Sequence, residues 1–156
     1  MEGCIKNMKR NVFILIAIVA LTVGSYFVIE LLNSNPPKPI LTVEGKKVEV
    51  AQGSYCWEGL IDAKCVDTVS PHEIINVKNL KPITVSAQSE LKIKYKKEPI
   101  ENTLGVNRWI NNKDSESIPI KRNVIRLPKE KGKHVYNVFA NWDNGSSNYI
   151  FVVEVR

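Results

Sequence analysis

The hydrophobic pattern divides the chain into one long uncharged run followed by a series of short alternating segments. The run covers residues 12–29, and these 18 residues would rise about 27 Å as a helix, close to the roughly 30 Å hydrocarbon core of a bilayer. Lys6, Lys9 and Arg10 precede it, so the positive-inside bias places the N-terminus in the cytoplasm and the C-terminal domain outside the plasma membrane. Glu30 is costly in hydrocarbon but tolerable at the interface, which predicts the outer membrane edge near it.

Two interpretations of this run are a retained signal anchor and a cleaved secretory signal. Secretory cores are usually about 7 to 15 residues long and end in small residues. Here the small residues 23–25 are followed at once by the apolar residues 26–29, and Ser25 stands where a lipoprotein cleavage box needs its lipidated cysteine. We therefore expect a cytoplasmic tail at residues 1–10, too short to fold, and a single-pass signal anchor at residues 11–32.

Beyond the run, apolar and polar residues alternate in several short segments, which is the period of a half-buried β-strand. In L-K-I-K-Y-K at residues 91–96, three apolar side chains share one face and three lysines share the other. The sequence D-N-G-S at residues 143–146 tolerates positive φ, so the segments around it should form a terminal hairpin. The predicted strands are residues 40–43, 48–50, 83–87, 91–95, 134–142 and 149–155.

One segment of the outer part has the pattern of a short helix. Ser70 and Glu73 form a capping box around Pro71, and Asn79 and Pro82 should end the helix soon afterwards. Many short strands with a single short helix favour an immunoglobulin-like antiparallel β-sandwich. A tyrosine following a proline turn and a glycine in residues 127–138 resembles the tyrosine corner of such domains.

The domain boundaries follow from composition. Residues 33–39 are rich in asparagine and proline, which predicts an extended linker that holds the domain within roughly 20 Å of the membrane surface. Residues 40–156 have the length of one compact extracytoplasmic domain.

The cysteines divide between the two sides of the predicted membrane. Cys4 lies on the cytoplasmic side, as a palmitoylation site or a free thiol. Cys56 and Cys65 lie nine residues apart on the outer side, where disulfides persist, and we expect them to be bonded. That bond should stabilise the domain by roughly 2.5 to 3 kcal/mol. A redox pair or metal site is the alternative, but His72 is the nearest histidine and there is no C-x-x-C.

The charge of the outer part is moderately basic. Residues 34–156 carry 19 Lys or Arg and 14 Asp or Glu, a net charge of +5 (19 − 14). The cations are spread along the chain, unlike the stripe of a nucleic-acid binder, so we expect no nucleic-acid partner. A weak attraction to wall polymers or anionic lipids is expected. The candidate contacts to such an anionic surface are Lys92, Lys94, Lys96 and Lys97.

The motifs of common catalytic and metal sites are missing from the sequence. His72 and His134 lie in unrelated contexts, without H-E-x-x-H or G-x-S-x-G. Residues 89–92 match S-x-x-K but begin a predicted strand and lack the companion motifs. The acidic residues around the cysteine loop match no calcium loop. We therefore expect no catalytic residues, no metal and no cofactor, and a protein that is not an enzyme.

Several motifs of the outer domain resemble those of small anchored or lipidated envelope proteins of Gram-positive bacilli. They are G-S-Y-C-W at residues 53–57, C-V-D at 65–67, Pro71-x-Glu73, and the segments 128–142 and 149–155. The resemblance implies an immunoglobulin-like extracytoplasmic domain with a disulfide, and it implies no activity. This chain departs from lipid-anchored relatives because it has Ser25 and a retained span.

The tryptophans are the candidate anchors for a protein partner. Arg108 and Trp109 side by side would form an exposed anchor, or else a central strand would place Val106 and Ile110 in the core. Trp57 adjoins a cysteine, and its expected role is structural, packed on the disulfide.

These features predict a binding or sensing module for another envelope protein. The predicted face combines Arg108 and Trp109 with Trp57 and the acidic loop residues Glu58 and Asp62. One alternative is an inhibitor of an extracytoplasmic enzyme that uses the disulfide loop as a rigid plug. The other is an adhesion module for wall polymers or anionic lipids, which uses the four lysines named above.

Overall fold

The computed structural model of the chain describes residues 2–32, 35–59 and 62–156. Helix α1 spans Glu2–Leu32 and contains the segment Asn11–Ile29, which is long and apolar enough to cross a membrane. The side chains described in this helix, residues 11–29, are exposed and pack on no other element. The predicted cytoplasmic tail continues the same helix from residue 2, because extending an existing helix is far easier than starting one. Met1 and the side chains of Cys4 and Glu30 lie outside the described part.

The domain that follows helix α1 consists of two β-sheets that pack face to face. The smaller sheet has the strand order β2-β1-β6-β9, and the larger has β4-β3-β11-β10-β7-β8 with β5 joined to the end of β11. The β5–β11 pair is parallel and the other strand pairs are antiparallel. The strands are β1 Ile40–Val43, β2 Lys46–Val48, β3 Ala51–Glu58, β4 Ala63–Val66, β5 Ile83–Val85, β6 Glu90–Lys94, β7 Gly105–Trp109, β8 Ser115–Ser117, β9 Val124–Arg126, β10 Gly132–Trp142 and β11 Gly145–Val155.

The terminal hairpin is confirmed and is the longest pairing of the domain. Trp142 of β10 pairs with Gly145 of β11, so Asp143 and Asn144 alone form the turn. Of the other alternating segments, three appear as β1, β5 and β6. The segment predicted at residues 48–50 is displaced, because β2 ends at Val48 and a new strand begins at Ala51.

The main core lies between the two sheets. Tyr136 of β10 and Phe151 of β11 stack there with ring centroids 5.1 Å apart, facing Leu91 and Ile93 of β6. A second apolar cluster lies on the outer side of the larger sheet, beneath helix α2. Its buried members are Ala51, Ile74, Leu80, Val135, Ile150 and Val152.

Helix α2 spans Pro71–Val77 and covers that second cluster through Ile74. It begins at the predicted proline, but the Ser70 hydroxyl donates to the Asn112 Oδ1 (3.3 Å) instead of capping the helix. Asn79 adopts positive φ immediately beyond the helix end, as a chain-reversing asparagine does.

The structure confirms a mainly β fold of two sheets with an N-terminal apolar helix, whereas two immunoglobulin hallmarks differ. The Cys56–Cys65 disulfide is confirmed, but it joins the paired strands β3 and β4 of one sheet and is exposed. Alternation along β3 therefore points Trp57 to the opposite side, into the core, and not onto the disulfide as predicted. Tyr136 lies in the middle of β10 with its hydroxyl on the Arg108 side chain, whereas a tyrosine corner bonds to upstream backbone.

The tight hairpin turn predicts a strong effect of Gly145→Ala. Gly145 has φ +138°, and an added Cβ would overlap the Cys56 carbonyl oxygen of the neighbouring strand. Gly132 has φ +119° with open space around its Cα, so Gly132→Ala is a control for backbone strain alone. In urea unfolding, we expect Gly132→Ala to lose about 1 kcal/mol and Gly145→Ala about 3 kcal/mol. Equal losses in the two variants would contradict the close approach of β3 to β11.

Candidate functional site

Residues 35–39, predicted to be a free spacer, pack against the domain. Pro36 and Pro39 are buried, and the Tyr149 hydroxyl donates a hydrogen bond to the Pro36 carbonyl oxygen (3.0 Å). Tyr149 is itself part of the inter-sheet core. Proline brings apolar surface without an N–H group to satisfy, which explains why this segment docks instead of standing the domain off. Asn33 and Ser34 of the predicted linker lie outside the described residues.

The docked segment forms one wall of a pocket of about 680 Å³, a size typical of small-ligand sites. Four stretches of chain meet at this pocket, and none of them is adjacent to another in sequence. Its lining residues are Asn35, Pro37, Lys38, Pro39, Ile40, Lys47, Val48, Glu49, Val50, Trp57, Lys96 and Lys97.

The floor of the pocket is apolar and rests on an aromatic cluster. Trp57 is 3% exposed and lies beside Val48 and Val50, which are also buried. Its ring meets Trp142 edge to face at 5.8 Å, and Trp142 meets Tyr95 in the same way at 5.1 Å. This edge-to-face packing of three aromatic rings stabilises the floor of the pocket.

The rim of the pocket is basic. Lys38, Lys47, Lys96 and Lys97 are exposed, and Glu49 is the acidic lining residue, a local net charge of +3 (4 − 1). A concave site lined with one sign of charge raises the local concentration of the opposite sign.

The pocket segment that carries Lys96 and Lys97 is fixed by the terminal hairpin. Trp142 Nε1 donates to the Lys97 carbonyl oxygen (3.0 Å), and Lys97 Nζ donates to Asn144 Oδ1 (3.0 Å). The hairpin therefore determines where these two lysines stand.

The pocket lies close to the end of helix α1. The helix ends at Leu32, and the first lining residue, Asn35, follows three residues later. Three peptide units span at most about 11 Å. Covalent geometry thus holds one edge of the pocket next to the predicted membrane surface.

The four candidate anionic-surface lysines divide into two groups. Lys96 and Lys97 line the pocket, whereas Lys92 and Lys94 lie on the exposed outer face of the smaller sheet, opposite Thr42 and Ile40 of β1. The sequence groups these lysines because they are close together in the chain. The structure instead places Lys96 and Lys97 in the pocket and Lys92 and Lys94 on the open face of the sheet.

Arg108 and Trp109 do not form one patch, because consecutive strand residues face opposite sides of the sheet. Arg108 forms an ion pair with Glu116 of the neighbouring strand and contacts the Tyr136 hydroxyl. Trp109 packs on the second apolar cluster, and its Nε1 donates to the buried Asn137 Oδ1 (2.7 Å).

The alternative prediction for this segment, a strand with Val106 and Ile110 in the core, is half right. Val106 is 1% exposed, but Ile110 is 63% exposed because β7 ends at Trp109 and the chain bends away. The role of Arg108 and Trp109 in binding a partner stays a prediction.

The acidic loop residues lie on the surface of the disulfide hairpin. Glu58 and Asp62 are both exposed. The Glu58 N–H donates to the Asn144 carbonyl oxygen and the Gly59 N–H to the Asp62 carbonyl oxygen, each at 2.7 Å. The hairpin is thus held at both sides of its tip, of which residues 60 and 61 lie outside the described part.

The histidines lie apart from the pocket. His72 is half-buried at the start of α2, and His134 Nε2 is 2.8 Å from the Glu130 carbonyl oxygen. In the part of the chain that the structure describes, no group of three or more His, Cys, Asp or Glu side chains is arranged to hold a metal ion.

Burial perturbs three tyrosines of the core. Desolvation raises the pKa of Tyr149 and of Tyr95, and it raises the pKa of Tyr136 to about 12 against the opposing effect of Arg108. A phenol whose pKa is raised on folding stays neutral in the folded domain while it ionises in the unfolded chain. The contribution of such a buried phenol to the free energy of unfolding is fully present below about pH 10, and it is lost as the pH rises above that value.

The variant Tyr149→Phe therefore tests whether residues 35–39 are docked on the domain. Removing the hydroxyl leaves the buried Pro36 carbonyl without its donor, so we expect a loss of about 1 to 2 kcal/mol at neutral pH in urea unfolding. The variant should also lose less stability than the wild type above about pH 10, because one buried phenol no longer titrates. Tyr55→Phe, which leaves the Pro36 bond in place, is the control. A Tyr149→Phe chain with wild-type stability and an unchanged alkaline slope would contradict the docking of the linker.

Comparisons of the chain with protein-family models, with curated proteins and with solved structures gave no match.

Proposed function

We propose that the chain is a single-span membrane protein whose extracytoplasmic domain is a non-enzymatic binding module, and that its ligand site is the basic pocket. One observation carries the proposal. A pocket with an apolar floor and four rim lysines has its first lining residue, Asn35, three residues after a helix long enough to cross a membrane. A site so placed meets ligands in or at the membrane surface.

Two features support the orientation of the domain toward the outside. The cations Lys6, Lys9 and Arg10 precede the apolar segment. The Cys56–Cys65 disulfide is exposed, and exposed disulfides persist in oxidising compartments while they are reduced in the cytosol.

The lining chemistry supports binding more than catalysis. The described lining offers exposed ammonium groups and one exposed carboxylate, Glu49. It lacks the hydroxyl, thiol and imidazole side chains that most often serve as nucleophile or general base. Lysine ammonium groups above an apolar floor attract and hold an anion without a reaction.

The pocket is favoured over the other two predicted surfaces because it combines a basic and apolar lining with a position close to the end of helix α1. Arg108 and Trp109 are engaged in contacts within the domain and face opposite sides of a sheet. The acidic residues of the disulfide hairpin are exposed, but no observation on the described residues connects the hairpin to an enzyme. An envelope protein that contacts the pocket rim is compatible with the proposal, and an immunoglobulin-like relationship of the sandwich stays a prediction.

The topology is tested on protoplasts that express the full chain with a C-terminal epitope. We expect the chain to remain in the membrane after alkaline carbonate washing, with an intact mass that includes residues 11–32. Protease added outside should remove the epitope without lysis. A shorter chain released into the medium would show a cleaved signal, and protection of the epitope would show the opposite orientation.

The ligand site is tested by photo-crosslinking in living cells, without assuming what the ligand is. A benzophenone amino acid replaces Glu49 in the pocket lining or, as a matched control, the exposed Glu73 on helix α2. Mass spectrometry should find a specific adduct, whether lipid, polymer or protein, from position 49 and none from position 73. No adduct at position 49, or equal adducts at both positions, would overturn the pocket as the ligand site.

A further inference from the structure

The pocket presents two kinds of surface that one ligand has to match. Pro37 and Ile40 are half-buried on its wall above Trp57, while four lysines stand exposed at the rim. A purely ionic ligand would leave the apolar wall in water, and a purely apolar ligand would bring no charge to the lysines. The matching chemistry is an anionic amphiphile, in which a phosphate or carboxylate is joined to a short apolar stretch.

The position of the pocket identifies the source of this amphiphile. The predicted membrane edge near Glu30 lies about 3 Å of helix before Leu32, and Asn35 follows Leu32 by at most about 11 Å. The sum of about 14 Å is only somewhat longer than the roughly 8 to 10 Å range of a charged membrane surface in physiological salt. A free amphiphile has to arrive from solution, whereas the bilayer is held beside the pocket by the chain itself. A covalent tether of this length gives a high effective concentration.

We infer that the pocket binds an anionic phospholipid of the membrane in which α1 is anchored. This inference rests on the proposed function, because it names the ligand of the same pocket. The lipid phosphate lies among the four rim lysines, and the glycerol and first acyl carbons lie against Pro37 and Ile40.

The chain offers a matched pair of variants for the test. Lys38→Glu/Lys96→Glu reverses two charges in the pocket lining, and Lys92→Glu/Lys94→Glu reverses two on the open sheet face. Both change the net charge by the same amount, and all four side chains are exposed, so neither should disturb the core. Lys38→Gln/Lys96→Gln repeats the pocket change without adding acidic groups, and thermal unfolding of each variant verifies its fold.

The full chain is reconstituted in nanodiscs of phosphatidylcholine alone or mixed with phosphatidylglycerol, and the lipids it retains in detergent are counted by native mass spectrometry. We expect the wild type to retain phosphatidylglycerol over phosphatidylcholine. The Lys38→Glu/Lys96→Glu chain should retain at least about tenfold less, the glutamine variant an intermediate amount, and the Lys92→Glu/Lys94→Glu chain about the wild-type amount. A parallel arm offers dodecyl phosphate in place of the anionic lipid.

Each other outcome overturns the inference. Equal losses in the pocket and sheet-face variants would show a diffuse attraction of the whole domain to charge. Retention of dodecyl phosphate without phosphatidylglycerol would show that the pocket takes a free amphiphile. If no anionic lipid is retained while position 49 still gives a specific protein or polymer adduct, the lipid assignment fails and the proposed ligand site stands. If position 49 gives no adduct either, both fail.

Discussion

The β10–β11 hairpin is the constraint on which the rest of the domain depends. Its eleven registered pairs extend from the two-residue turn to the last residues of the chain. Strand β7 pairs with one edge of this hairpin, while β3 and β5 share the other edge in succession. Because alternate side chains face opposite sides, the hairpin supplies Tyr136 and Phe151 to the main core and Ile150 to the cluster under α2.

The pocket is a consequence of the same hairpin. Its side chains bond to the Lys97 carbonyl oxygen through Trp142, to Lys97 Nζ through Asn144, and to the Pro36 carbonyl oxygen through Tyr149. These bonds fix two of the four stretches that form the pocket. A slip of one residue between the two strands would turn over the side chains of one strand, so that either Trp142 or Tyr149 would face outward and release the stretch that it holds. The register that buries the core therefore also assembles the site.

Strands with strong alternation, a membrane-length apolar run and a turn rich in Asp, Asn and Gly were predictable because each signal is local. Strands β3, β4, β8 and β9 are absent from the predicted strands. The last three have only three or four residues each and are stabilised by their neighbours in the sheet more than by their own pattern, and β3 lacks a regular alternation in its sequence A-Q-G-S-Y-C-W-E. The pocket could not be predicted, since its residues come from stretches up to 62 positions apart in sequence (97 − 35). The sequence singles out Lys96 for its charge, but only the folded structure places Lys38, Lys47 and Lys97 in the same pocket.

The rim of the pocket carries lysine and strand β7 carries Arg108, and the two cations differ in their geometry. Arg108 holds Glu116 and the Tyr136 hydroxyl with a planar guanidinium, which suits a fixed pair inside the domain. The rim lysines are point charges on flexible stems, which suits a mobile anionic group that arrives in many orientations. The proposed site would bind a single anionic group only weakly in free solution. Held beside a surface at an effective concentration in the millimolar range, however, even a site with a dissociation constant of about 1 mM, on the order of −4 kcal/mol, is substantially occupied. Under the proposed function, the short docked linker therefore contributes to binding because it keeps the domain close to the membrane.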